Sequence, residues 1–67
     1  MPEILAWLAT LGRNRVYAGD HPPAHVFPLL AELVREHRAT LGLTVVGHVL
    51  TSADINAALD WKEADSG

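Results

Sequence analysis

The segment LTVVGHVLTSADINAALDW, residues 43–61, decides how this chain folds, because it holds the clearest helix start and the one ambiguous stretch. Thr51 stands three residues before Asp54, and Leu50 stands five before Ile55. A threonine hydroxyl in that position accepts from a backbone N–H of the first turn, and the carboxylate three residues on returns a bond to the threonine N–H. The flanking apolar pair then packs across the cap. This is a capping box, with Asp in place of the usual Glu, joined to a hydrophobic staple. Ile55, Ala58 and Leu59 form one apolar side and Trp61 flanks it, so a helix is predicted over about 52–63, fraying beyond. Residues 43–50 are different. Their Val and Thr content favours a short strand, and Gly47 disfavours a helix interior. A lone strand cannot satisfy its own backbone, so this one needs residues 15–18 or a second copy of the chain as its mate.

Working outward, Pro28 suits the first turn of a second helix, over about 28–41. An interior proline costs about 3 kcal/mol, which argues against a start near Ala24. Leu30, Leu33, Val34, His37 and Leu41 line one face, Arg38 suits the dipole near the end, and Gly42 occupies the C-cap position. A first helix spans about 2–12. Ile4, Trp7, Leu8 and Leu11 make its apolar stripe, Pro2 is tolerated in the opening turn, and Gly12 supplies the stop. Between the two, Asn14, Gly19, Asp20, Pro22 and Pro23 are loop residues. The predicted fold is one small, mainly α domain over residues 1–67, with three short helices and a short strand at 43–50 if that segment is extended.

Composition bounds the function. A chain of 67 residues buries only roughly 60% of the surface its unfolded form exposes, so its stability margin is thin. It has no cysteine, which removes disulfides and thiolate metal sites together. Ten Ala, ten Leu and six Val give a globular, helix-leaning chain with much apolar surface for its volume, which argues for a partner chain. The formal charge is −3, and Arg13, Arg15, Arg35, Arg38 and Lys62 are the only fixed cations. No basic face emerges, which disfavours autonomous binding to nucleic acid. No apolar run reaches the roughly 18–20 residues of a membrane span, and Glu3 stands where a signal peptide would carry positive charge. The expected protein is soluble and intracellular.

Four histidines raise the question of metal. His21 and His25 have a spacing used by helical zinc sites, but that spacing works because i and i+4 share a helix face. Pro22 and Pro23 lie between them and oppose such a helix. The alternative to a stiff loop is a metal-binding or hydrolytic mini-domain centred on His21 and His25. There Asp20 would orient His25 as a base and Tyr17 would serve as an acid. A pocket large enough for catalysis is rare in so small a domain. The residues favoured for a partner contact are Trp7 and Trp61, as core or interface anchors, and Arg13, Arg15 and Tyr17, as a loop patch for phosphate or carboxylate. Val45 and Val46 join them as an apolar edge. No catalytic, cofactor or metal residue is assigned.

Two resemblances add to this. The stretch HVLTSADINAALDW, residues 48–61, resembles the last loop and helix of the histone fold in histone-like transcription-initiation factor subunits. Those carry an LT-x-x-D-h-x-x-A-L pattern and often a tryptophan soon afterwards. The first helix PEILAWLATLG and an amphipathic middle helix extend the likeness over residues 2–61. It implies a long middle helix running through Pro28, Gly42 and Gly47, pairing with a second histone-fold chain, no catalysis, and a nuclear location. Separately, MPEI at the start and RVYAGDHPPAHVF, residues 15–27, resemble the opening of a small bacterial family of unknown function. That family begins Met-Pro and carries an HxPxHVHV strand, whose last histidine is Phe27 here. This likeness implies nothing about activity. The function expected from the sequence is a non-catalytic protein–protein interaction module: a homodimer, or a small adaptor or inhibitor of a larger protein.

Overall fold

The computed structural model describes residues 2–12, 15–47 and 49–66. Among these residues three helices follow one another: α1 Pro2–Leu11, α2 Phe27–Thr40 and α3 Ser52–Ser66. α1 turns Ile4, Trp7 and Leu8 into the core and leaves Leu5 outside. It closes with Gly12 donating its N–H to the Ala9 carbonyl.

α2 starts at Phe27, one position before the proline expected to open it, and Pro28 sits in the first turn where a missing N–H breaks no helical bond. No side chain caps this start. Instead a turn over residues 23–26 feeds it, with the N–H groups of Val26 and Phe27 both donating to the Pro23 carbonyl. The turn drives Val26 into the core and leaves His21, Ala24 and His25 on the surface. The Pro-Pro pair is therefore helix-entry architecture.

α2 stops at Thr40, and Gly42 at φ +75° closes it. Gly42 N–H donates to the Ala39 carbonyl at 3.0 Å and Leu43 N–H to the Arg38 carbonyl at 2.8 Å, the two bonds of a Schellman motif. Leu41 lies past the last helical residue and is exposed, contrary to its expected place on the buried face. Gly42 and Gly47 both lie outside the helix that the histone resemblance carries through them.

α3 begins as its sequence specifies. Asp54 N–H donates to Thr51 Oγ1 and Thr51 N–H to Asp54 Oδ2, each at 3.2 Å. Leu50 packs on the core beside the buried Ile55. The helix continues to Ser66, beyond the expected end near 63, because Glu63 and Ala64 are strong helix formers.

No strand is present among the described residues, and the strand expected at 43–50 is an irregular loop with a bend at 46–47. Two physical reasons account for it. Gly47 has φ +63°, which an extended strand cannot contain. The expected mate, residues 15–18, is held by a side chain of α3 instead, as described below. α2 and α3 form the principal helix pair. One cluster joins α1 to them through Ile4, Trp7 and Leu8, with Val16 and Val26 contributed by the connecting segment.

Candidate interaction surface

The connecting segment after α1 is organised by a single amide. Asn56 on α3 accepts from Val16 N–H through Oδ1 and donates to the Val16 carbonyl through Nδ2, both at 2.6 Å. One side chain thus copies the paired bonds of a strand neighbour. It lets Val16 bury its isopropyl group without leaving main-chain polar groups unmet. On either side the chain turns outward. Arg15 donates to Asp60 at 2.5 Å across the exposed side of α3, and this bond and the carboxylate charge hold the guanidinium above its ordinary range. After Val16 the chain reverses in a tight turn. Asp20 N–H donates to the Tyr17 carbonyl at 2.9 Å, and Tyr17 N–H donates to Asp20 Oδ2 at 2.7 Å.

This turn, the entry to α2 and the entry to α3 enclose an open cleft of about 370 Å³. Val16, Leu50 and Ile55 supply its apolar floor and wall, and Tyr17 and Phe27 are half-exposed aromatics on it. Its polar edge carries Asp20, His21 and Thr51. His25 does not line it, and neither does any second histidine of the described residues. Among the described residues no group of three or more His, Asp or Glu side chains is placed to share a metal ion.

Next to the cleft in sequence lies the loop between α2 and α3. Over residues 41–51 it contains no Asp, Glu, Lys or Arg. Leu41, Leu43, Val46 and Val49 are exposed, the last two at 84% and 75%, and Val45 is half-buried. Among the described residues no main-chain hydrogen bond reaches residues 44–50.

The other residues favoured from sequence fall apart from one another. Trp7 is a core residue at 8% exposure. Trp61 is half-buried, its ring 5.5 Å from that of His37 and covered by the Lys62 ammonium at 5.0 Å. Neither tryptophan therefore offers a bare aromatic face. Tyr17 and Val46 lie at the cleft and the loop tip. Arg15 is engaged by Asp60, and Arg13 lies outside the described residues, as does His48. Sequence reasoning missed Phe27, Val49 and Asn56 as parts of this surface. Asn56 carried one local signal, an amide beside Ile55 at the edge of the apolar stripe of α3. Phe27 carried none.

Among the described residues no helix is long and apolar enough to cross a membrane. Compared with known proteins, the chain matches no family model, no curated protein and no solved structure.

Proposed function

We propose that this chain is a non-catalytic protein–protein interaction module that works as a homodimer. The observation that carries this reading is the loop between α2 and α3: largely apolar, without Asp, Glu, Lys or Arg over its eleven residues 41–51, and without main-chain partners over residues 44–50 among the described residues. On soluble proteins a contiguous exposed apolar patch of this kind marks a contact site. This segment has neither lysine nor proline, and four of its large apolar side chains lie open to solvent.

The available area suits a small interface. At about 25 cal/mol per Å², the roughly 1.5–3 kcal/mol for burying a Val, Leu or Phe side chain corresponds to ~60–120 Å² each. Six such groups, Leu41, Leu43, Val46 and Val49 with Tyr17 and Phe27, each only partly exposed, present on the order of 200–450 Å², the apolar centre of an interface of ~500 Å² per partner whose rim comes from the polar residues around it. The loop between α2 and α3 carries no Asp, Glu, Lys or Arg, and Asp20 at the polar edge is the one such residue among those lining the cleft, so two copies can approach with few fixed charges set against each other.

Sedimentation equilibrium across micromolar concentrations tests the reading. A reversible monomer–dimer equilibrium that Val46→Asp abolishes, with helical circular dichroism unchanged, is the expected result. A chain that stays monomeric at every concentration removes self-association as its function.

A further inference from the structure

Residues 43–46, Leu-Thr-Val-Val, have the composition of a strand and no ladder to join within their own chain. Residues 15–18, the one stretch expected to pair with them, are held by Asn56, which takes both main-chain groups of Val16. Leu43 N–H closes α2 on the Arg38 carbonyl, and from Thr44 to Val46 no main-chain group is hydrogen-bonded among the described residues. Exposure alternates over the same three residues: Thr44 is open, Val45 half-buried and Val46 84% exposed. Alternation of this kind belongs to a strand with one side on its own molecule. Gly47, at φ +63°, ends the run.

In the single chain water satisfies these exposed donors and acceptors, but a row of them is also a template for an added strand. The occupant that fits is the same segment of a second copy. It has the β-branched composition of a strand, it carries no Asp, Glu, Lys or Arg, and its own main-chain groups are equally unmet. A two-fold axis crossing the segment sets the copies antiparallel and repeats each bond in the opposite direction, so the contact closes at two copies. Resting on the homodimer reading, we propose that two copies pair main chain to main chain over residues 43–46, as an antiparallel two-stranded ribbon that exists only in the dimer. Leu43 and Val46, both exposed in the single chain, gain cross-strand neighbours there.

Val46→Pro separates main chain from side chain. It removes an N–H that makes no hydrogen bond within the chain among the described residues, and it keeps an apolar side chain. Val46→Ile, which keeps the N–H, is its control. With helical circular dichroism unchanged, Val46→Pro is expected to weaken the dimer about tenfold or more in sedimentation, since each copy loses a donor, while Val46→Ile holds or improves it. A second readout needs no substitution and decides the matter if the proline disturbs the helices. In an equal mixture of carbon-13-labelled and unlabelled chains, nuclear Overhauser contacts are expected between α protons of residues 43–46 on different copies. A sedimenting dimer without those contacts, or one that Val46→Pro and Val46→Ile leave equally tight, places the interface elsewhere: the ribbon is then wrong while the homodimer stands. A chain that sediments only as a monomer removes the ribbon and the homodimer together.

Discussion

Asp54 performs two tasks with two oxygens. Oδ2 accepts from the N–H and hydroxyl of Thr51, which fixes the start of α3, while Oδ1 accepts from Arg38 Nη2 in the last turn of α2. The Arg38–Asp54 pair is partly buried, with side chains 19% and 17% exposed, so solvent screens it less than the open Arg15–Asp60 pair. Thr51→Ala is expected to lower stability by roughly 0.5–2 kcal/mol through the lost cap. Asp54→Ala removes the cap and the charged hydrogen bond together and is expected to cost about 2–4 kcal/mol. The double variant should cost little more than Asp54→Ala alone, since both single changes break one motif. Urea melts of the three variants check this, and equal losses for the two single changes would assign Arg38 no part. His37 is the opposite case. Its Nδ1 is buried without a hydrogen-bond partner among the described residues, while its ring packs on Trp61. His37→Phe keeps the ring contact and removes the unmet nitrogen, so stability is expected to hold or rise by about 1 kcal/mol. A loss of that size in the same urea melts would show that Nδ1 has a partner in solution.

The elements divide by whether their signals are local. α1, α2 and α3 were legible because apolar spacing, the Gly42 stop and the Thr51–Asp54 box each act within a few residues. The strand reading of 43–50 failed because β-branched residues favour a strand only when a ladder partner exists, and the supposed partner was taken by Asn56. That amide bridges forty positions, between Val16 and Asn56, and no spacing rule reports it. The same distance makes a sharp test of what holds the connecting segment. Asn56→Ala leaves the N–H and C=O of the buried Val16 unmet and is expected to cost about 1–3 kcal/mol. Hydrogen exchange should locate the damage: the Val16 amide is expected to approach the rate of an open loop while the central amides of α2 remain the slowest. An unchanged Val16 rate would mean that packing alone holds the segment. Because Val16 and Tyr17 form one side of the cleft, the same variant is also expected to weaken dimerisation.

At the scale of the molecule, apolar content in so short a chain suggested a core finished on a partner. The folded chain exposes 4372 Å², close to the ~4,200 Å² of an ordinary compact monomer of this mass. By this measure the chain is as compact as an ordinary monomer, and the surface proposed for a partner is the apolar loop with its adjoining cleft. The cleft itself was not legible, because it is assembled from a turn, the first residue of α2 and the entry to α3, and no local pattern ties Tyr17 to Phe27 or Leu50. Its chemistry determines how association responds to salt. The exposed ion pairs Arg15–Asp60 and Lys62–Glu36 lie apart from Leu41, Leu43, Val46 and Val49. Raising sodium chloride from about 0.05 to 0.5 M shortens the screening length well below 10 Å and weakens exposed ionic contacts. For the contact proposed here that change is expected to leave dimer affinity unaltered or slightly improved, since it screens the −3 charge that each copy carries. Sodium sulfate should strengthen the dimer further by favouring burial of apolar surface. Sedimentation at several concentrations of each salt measures both effects. An affinity that falls steadily as chloride rises would place ionic contacts, and not Val46 and Val49, at the centre of the interface.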